Sequence, residues 1–267
     1  MADQMIFKRY ELKYMLTRDQ MLTLLEGMAE HMIPDEHGKS TIQSLYFDTP
    51  TFGLIRKSIE KPVYKEKFRL RSYGVAGSNT TVFAEIKKKY ESIVYKRRQA
   101  MSLDEAGRYL LGDEHIYDTQ ITREIDYFKK CYDGLRPQML IMYDREAFYA
   151  ADDHEFRITF DSNILYRRYD LWLDRGIYGT RLIDEDQVLM EVKVGGAMPL
   201  WFAHLLNDNH IYLTSFSKYG TAYTRESQNI DVAAIAALEA TKKIAGRIYT
   251  RPDAYSGRTL RGGMNYA

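Results

Sequence analysis

Basic residues alternate with apolar ones along several short segments of the chain, and this spacing suits phosphate binding. Lys67, Arg69 and Arg71 occupy every second position of one segment, and Lys87 and Lys89 do so in another. Side chains at every second position share one face of a β-strand. Guanidinium forks and ammonium groups are common ligands of phosphate in proteins. The pattern therefore predicts strands that turn a basic face toward a phosphorylated ligand.

Other segments show the same alternation with carboxylates and hydroxyls included. Their charged or polar positions are Arg9, Glu11 and Lys13; Glu85; Lys96 and Arg98; Tyr143 and Arg145; Arg157, Thr159 and Asp161; and Glu191 and Lys193. In most of these segments the alternate positions are apolar or aromatic. A few carboxylates among the cations would suit a divalent ion that bridges the phosphates and the protein, with Glu11, Glu85 and Glu191 as candidates.

The overall charge is balanced, because 38 Lys and Arg residues stand against 37 Asp and Glu residues, a net charge of +1. This balance excludes a protein that bulk charge drives onto nucleic acid or an anionic membrane. We expect instead that cations are concentrated on one strand face and that most carboxylates lie elsewhere. A nucleic-acid site would also need aromatic platforms among the cations. The aromatic residues occupy mostly the opposite face, which favours a bare phosphate chain or a nucleoside triphosphate tail.

Periodicity also locates the elements that must position these residues. Strands are predicted at 7–16, 42–48, 66–73, 81–89, 92–98, 138–149, 155–161, 164–170 and 187–194. Helices are predicted from Thr17, from Ser102 through Leu111, over 118–132, from Pro199 and over 231–244.

Two architectures fit these strands. One is an open sheet with a solvated charged face, and the other is a closed barrel whose charged face lines a tunnel. A charged lumen would be repulsive when empty, but it suits a polyanion. The concentration of cations on one face favours the barrel. We therefore predict an α+β fold, mainly an antiparallel closed β-barrel of about eight strands that forms a tunnel, with helices packed on its outside.

The 267 residues are predicted to form a single domain over 1–245, followed by a flexible C-terminal tail at 246–267 that is rich in Gly and Arg. The one cysteine, Cys131, allows no disulfide framework. The charged N-terminus is unlike a secretory signal, and no run approaches the ~18 apolar residues of a membrane helix. These features predict a cytoplasmic protein without a transmembrane segment and leave open a membrane-protein partner.

The sequence resembles the VTC domain, the polyphosphate polymerase domain of the vacuolar transporter chaperone complex and of its bacterial relatives, within the triphosphate tunnel metalloenzymes. The resemblance runs from about Phe7 to about Tyr219. It is carried by RYELKYML at 9–16, SLYFDTP at 44–50, KFRLRSYG at 67–74, VFAEIKKK at 82–89, YDREAF at 143–148, FRITFD at 156–161, LMEVKV at 189–194 and SFSKY at 215–219. Each piece alone is weak, but eight in this order are specific.

The resemblance implies roles for particular residues. The implied phosphate ligands are Lys13, Arg69, Arg71, Lys87, Lys96, Arg145, Arg157 and Lys218, with hydroxyl contacts from Tyr143 and Ser217. Glu191 would hold Mn²⁺ or Mg²⁺, and Glu11 and Glu85 are weaker candidates for that metal. Arg9 and Lys193 are expected to add substrate contacts because they lie on the charged faces.

The implied reaction is metal-dependent transfer of the γ-phosphoryl group of ATP to inorganic polyphosphate, with Arg69, Arg71, Arg145, Arg157, Lys87 and Lys218 as the catalytic cations. Triphosphate and pyrophosphate are further expected ligands, and nucleic acid is not. The hydrolase and cyclase branch carries Glu-x-Glu-x-Lys on its first strand, whereas this chain has Arg9-Tyr10-Glu11-Leu12-Lys13. The exchange of Glu for Arg favours the polymerase branch.

Two alternatives stay open: a tunnel hydrolase of triphosphate or short polyphosphate, and a non-catalytic module that binds polyphosphate or a phosphorylated partner. We also expect alanine at Arg69 or Arg145 to abolish synthesis without destabilising the fold, because each removal relieves a crowded cationic face.

Overall fold

The computed structural model describes residues 10–91, 93–112 and 114–228 of the 267. Contacts divide the chain into two compact units, Met1–Tyr223 and Thr224–Ala267. The residues discussed below belong to the first unit. Arg9, the helix predicted at 231–244 and the tail predicted from 246 lie outside the described residues. The domain boundary at 245 therefore stays a prediction.

Strands and helices follow one another along the described chain, and most lie within a few residues of the predicted positions. The order is β1 (Tyr10–Thr17), α1 (Arg18–Met28), β2 (Met32–Pro34), β3 (Ser40–Asp48), α2 (Gly53–Ile59), β4 (Tyr64–Tyr73), β5 (Thr81–Tyr90), β6 (Ile93–Ser102), α3 (Leu103–Leu111), α4 (Gln120–Cys131), β7 (Arg136–Ala150), β8 (Arg157–Arg167), β9 (Thr180–Arg181), β10 (Gln187–Val194) and α5 (Leu200–Asp208). A further helix, α6, begins at residue 218. Among the described residues, no helix has the length and apolar character needed to cross a membrane.

The strands form one antiparallel sheet whose main path is β1-β10-β8-β7-β3-β4-β5-β6, with β2 paired to β7 and β9 paired to β8 beside it. The prediction of a mainly antiparallel sheet with helices is confirmed. The predicted closed barrel is not confirmed, because β1 and β6 end the path and no hydrogen-bonded ladder among the described residues joins them. Strand number and alternation are the same in an open, curled sheet and in a barrel, so they could not decide closure.

The outer face of the sheet is apolar and lies under the helices. One buried cluster joins β4 and β5 to α3 and α4, and its members include Phe68, Leu70, Ile86, Ala106 and Ile125. Each large apolar side chain buried in this way contributes about 1.5–3 kcal/mol. This burial fixes which side of β4 and β5 faces inward, and therefore where their basic residues point.

A second apolar cluster does the same for the other half of the sheet. Ile158, Met190 and Val192 of β8 and β10 pack with Leu24 of α1 and Phe202 of α5. Helix α1 begins where predicted, because the Thr17 side chain accepts from the backbone N–H of Gln20 while the Gln20 side chain accepts from that of Thr17.

A bulge in β8 changes which residues of the strand face inward. The sequence predicted two strands here, at 155–161 and 164–170, but β8 is one strand. Asn163 has a φ of 49°, and the pairing with β7 shifts there. After the bulge, Ile164 and Tyr166 share the inner face with Asp161.

The inner face is charged in one part and apolar in another. The apolar part, which the sequence analysis did not expect, includes Ile141 of β7, Leu189 of β10, Ile55 of α2 and Tyr219 and Ala222 of α6. Helices α2 and α6 thus pack on the inside of the sheet, whereas α1, α3, α4 and α5 pack on its outside. The charged part of the inner face borders this apolar part.

Candidate functional site

The inner face curls until its distant strands meet through their side chains. The Lys87 Nζ of β5 donates to the Glu11 Oε2 of β1 at 3.4 Å, although five strands separate them along the sheet. Seven predicted cations come together in this curl with four carboxylates. We call these residues the charged cluster: Lys13, Arg69, Arg71, Lys87, Lys96, Arg145 and Lys218, with Glu11, Glu85, Asp161 and Glu191.

Glu191 is the point on which three of the predicted ligands converge. Its Oε1 accepts from the Nζ of Lys13 at 2.8 Å and from the Nζ of Lys218 at 3.1 Å, and its Oε2 accepts from Arg145 at 3.4 Å. Burial would raise the pKa of Glu191, but Lys218, Lys13 and Arg145 outweigh it and hold the pKa well below its usual range. The carboxylate is therefore ionised at neutral pH.

Asp161 is a member of the charged cluster for which no role was predicted. Its carboxylate is 0% exposed and accepts both a bidentate pair from Arg145, at 2.6 and 2.7 Å, and a bond from Lys218. Burial lowers the pKa of Lys218, but Asp161 and Glu191 reverse that effect and raise it overall. The available signal was its place on the charged face of the Arg157–Asp161 segment.

Glu85 organises the other side of the cluster. Its carboxylate is 1% exposed, and its oxygens lie 2.7 Å from the Arg69 NH2 and 2.7 Å from the Lys96 Nζ, with Arg71 at 4.0 Å. Burial opposes ionisation, but Arg69, Arg71 and Lys96 lower the pKa of Glu85 to about 2. Because cations occupy both of its oxygens, Glu85 orients the arginines in this structure.

Glu11 shares a lysine with Glu191. The Lys13 Nζ donates to the Glu11 Oε1 at 2.7 Å and to the Glu191 Oε1 at 2.8 Å, so the ammonium lies between two carboxylates from neighbouring strands. Burial raises the pKa of Glu11, but Lys87 and Lys13 lower it to about 2 overall.

Tyrosine hydroxyls complete the cluster. The Tyr143 hydroxyl accepts from Arg71 at 3.3 Å, and the cations of Lys218 and Arg145 lie 4.6 and 5.2 Å from its ring centre. Tyr46, which the sequence analysis did not single out, accepts from Arg69 at 3.2 Å. The structure thus adds a second phenol to the one that was predicted.

The environment of Tyr46 is strongly cationic. Burial would raise the pKa of this phenol, but Arg69, Lys67 and Arg71 lower it to about 8. Its ring stacks on Tyr219 with 4.5 Å between centroids. The stacking thereby holds the Tyr46 hydroxyl, which accepts from Arg69, at a fixed place beside the charged cluster.

A buried carboxylate outside the cluster anchors this arrangement. Asp48, at the end of β3, accepts from the backbone N–H groups of Leu54 and Ile55 at 2.8 and 3.0 Å and from the Tyr219 hydroxyl at 2.9 Å. Tyr219 follows Lys218 in α6 and stacks on Tyr46. Asp48 therefore helps to set the position of two groups of the site, the Lys218 ammonium and the Tyr46 phenol.

Four predicted residues are not brought into these contacts. Arg157 is 46% exposed and pairs with Asp35 at 3.3 Å. Ser217 accepts from Lys67 at 3.3 Å. Burial, followed by the positive charge of Arg145, lowers the pKa of Lys193 to about 8, and Lys193 makes no ion pair with a described carboxylate. Arg9 lies outside the described residues.

The donor set near Glu191 is compatible with a divalent cation that binds mostly to phosphate. Within residues 10–91, 93–112 and 114–228, no three Asp, Glu, His or Cys side chains are grouped as a metal site. Mg²⁺ and similar ions are often held by one or two carboxylates together with substrate phosphates and water. Glu191, on the inner face, is a hard oxygen donor of that kind, and a bound metal would replace at least one of the cations that now contact its oxygens.

The charges determine what the cluster can bind. Seven basic side chains against four acidic ones leave a formal excess of three positive charges in a partly buried space. Charge-assisted bonds to such preorganised groups are strong. A ligand with several adjacent negative charges is the one that can use them all.

Comparison with known proteins identifies a family and a curated relative. A family model described as the VTC domain matches residues 8–226. Subunit 4 of the vacuolar transporter chaperone complex of Schizosaccharomyces pombe is 24% identical over 226 residues, which cover 67% of this chain and 31% of that protein. The chain therefore spans less than a third of the length of this curated relative.

Solved structures show weaker likenesses. HpAC1 from Hippeastrum, described with a dominant triphosphatase activity, shares 13% identity with a TM-score of 0.46, over 80% of this chain and 94% of that one. The PH1819 protein of Pyrococcus horikoshii shares 10% identity with a TM-score of 0.41, over 81% of this chain and 99% of that one.

The family match covers most of the chain and includes every described member of the charged cluster. The chain belongs to the VTC domain family.

Proposed function

We propose that the protein transfers the γ-phosphoryl group of ATP to the end of an inorganic polyphosphate chain, in a metal-dependent reaction at the charged cluster. The observation that carries this proposal is the convergence of seven basic side chains from five strands and α6 around buried carboxylates. Membership of the VTC domain family supports phosphate chains as the ligand class.

The cations would act by position and charge. Phosphoryl transfer needs the donor phosphate and the acceptor oxygen in line and the charge on the equatorial oxygens neutralised. Arg69 and Arg71 extend from one side of the curl, and Arg145 and Lys218 extend from the other. Because each is held by a carboxylate or a hydroxyl, little reorganisation is needed in the transition state. A terminal phosphate is already anionic, so the acceptor requires no general base.

Glu191 is the residue that would hold the metal. A bound Mn²⁺ or Mg²⁺ would neutralise phosphate charge and orient the transferring group. The ammonium of Lys13 lies between Glu11 and Glu191. It thus supplies a fixed positive charge beside the carboxylate that would hold the metal.

The proposal is tested by product analysis with the full chain, ATP, Mn²⁺ or Mg²⁺, and a short polyphosphate primer. We expect ADP to form in step with lengthening of the chain. Arg69→Gln should lose this activity, whereas Arg56→Gln, at an exposed position of α2, should keep it. Orthophosphate release without lengthening would contradict the proposal and indicate a hydrolase. Tight binding without turnover in either metal would indicate a binding module.

A further inference from the structure

One end of the inner face carries lysines beyond the charged cluster. On β4, Lys65 and Lys67 continue the inward-facing row that Arg69 begins, because strand side chains alternate. Lys65 lies opposite Lys89, and Lys67 lies opposite Lys87, in the register of β4 with β5. Like charges placed directly opposite each other destabilise a sheet. The chain therefore maintains an unfavourable arrangement at this end.

These lysines also lack the carboxylates that neutralise the cluster. The Lys67 Nζ donates to the Ser217 hydroxyl at 3.3 Å, and the Lys65 Nζ donates to the Ser58 carbonyl at 3.4 Å. Both acceptors are uncharged. Within the described parts of the chain, Lys65, Lys67 and Lys89 make no ion pair. Pairing with a carboxylate, as between Arg69 and Glu85, is thus not continued at Lys67, the next inward-facing residue of β4.

A solvated surface does not explain the whole row. Burial, opposed by Tyr46 and reinforced by Lys87, lowers the pKa of Lys67 to about 8. Burial and then the charge of Lys89 also lower the pKa of Lys65. Side chains that were fully hydrated would not be affected in this way. The row is partly enclosed and short of negative charge.

We propose that Lys65, Lys67 and Lys89 form a second anion subsite, continuous with the charged cluster, which binds the part of a polyphosphate chain that extends beyond the phosphates held at Arg69. The identity of this ligand rests on the proposed function. Tyr64 and Tyr90 lie on the other face of the same strands, so the row offers ammonium groups without a stacking platform for bases. A linear phosphate chain therefore fits better than a nucleic acid.

The subsite would make the affinity for polyphosphate depend on chain length. This dependence distinguishes it from the charged cluster. A triphosphate would be bound by the cluster alone, whereas a longer polyphosphate would also contact the lysine row. In Lys65→Gln/Lys67→Gln, we expect the Kd of a polyphosphate of defined length to weaken about 10-fold or more, and the Kd of inorganic triphosphate to change by less than about 2-fold. The salt dependence of polyphosphate binding should also become shallower.

A matched control is available on the same sheet. Lys88→Gln/Lys130→Gln removes the same number of positive charges, and Lys88 points to the opposite face of β5 from Lys87 and Lys89. This variant should bind both ligands like the wild type. Titration calorimetry without ATP or metal measures both constants, so the result does not require the protein to be a polymerase. Lys65→Gln alone serves if the double variant does not fold.

The outcomes separate the two proposals. Equal weakening for triphosphate and polyphosphate, or loss no greater than in the control variant, would overturn the subsite. Chain synthesis could persist in either case. Selective loss of polyphosphate affinity in a protein that makes no chain would support the subsite and contradict polymerase activity. A wild type that binds neither ligand would overturn both.

Discussion

Arg145 should contribute far more to stability than its position on a cationic face suggests. Its guanidinium makes a bidentate pair, at 2.6 and 2.7 Å, with Asp161, whose side chain is 0% exposed. Alanine at this position would leave a buried carboxylate with Lys218 as its one remaining charged donor among the described residues. The perturbation therefore strands a negative charge and does not simply remove a positive one.

The structure sets the magnitude. Removing one partner of a buried ion pair typically costs 3–5 kcal/mol, and we expect about 3 kcal/mol because Lys218 still neutralises Asp161 in part. Arg157 is the matched comparison. It lies on the same sheet, is 46% exposed and makes one contact with Asp35 at 3.3 Å. Arg157→Ala should cost at most about 1 kcal/mol.

Urea unfolding of the wild type, Arg145→Ala and Arg157→Ala in phosphate-free buffer measures this difference. Adding Asp161→Asn to Arg145→Ala should recover part of the loss, because the stranded charge is then gone. A loss below about 1 kcal/mol for Arg145→Ala, or no recovery in the double variant, would refute the reasoning. The expectation from sequence that alanine leaves the fold intact would then stand.

Three further predictions concern the site. Glu191→Gln should abolish stimulation by Mn²⁺ or Mg²⁺ while triphosphate still binds, and unchanged stimulation would reject Glu191 as the ligand. Tyr219→Phe, which removes the hydrogen bond to Asp48, should lower kcat about 10-fold with little change in the KM for ATP. A reduced melting temperature with unchanged kcat would show that this hydrogen bond is purely structural. Lys67 and Lys193, with pKa values of about 8, are each half-protonated at pH 8. Polyphosphate should raise both pKa values, so binding at pH 8 takes up about one proton and weakens as the pH rises above 8. Calorimetry in buffers of different ionisation enthalpy measures this proton uptake. An uptake of zero would contradict the prediction.

The sequence predicted the strands and their faces because alternation is a local property. Phe68 and Leu70 face the outer core, and Arg69 and Arg71 face inward, as the spacing in β4 indicated. Closure of the sheet was not predictable in this way. It depends on whether β1 and β6, which are remote in sequence, come close enough to share backbone hydrogen bonds. The bulge at Asn163 was not predictable either, and because of it the two predicted strands are one strand, β8.

The site was predicted in its cations more completely than in its anions. Lys13, Arg145 and Lys218, which the resemblance named, all contact Glu191, and their roles stay predictions. Asp161 had no predicted role, because an aspartate on a polar strand face resembles any solvated one until its partners are known. Those partners come from β7 and α6.

The four carboxylates offset the repulsion within such a cationic face. A lumen lined by cations alone would repel itself at low dielectric, but here Glu11, Glu85, Asp161 and Glu191 neutralise and orient the cations. Ligand binding at the cluster must then compete with carboxylates already in place. A single orthophosphate offers too few charges to compensate for several displaced pairs, whereas linked phosphates engage several cations at once. The internal pairing therefore favours polyvalent ligands, and under the proposed function it would favour linked phosphates over a single orthophosphate.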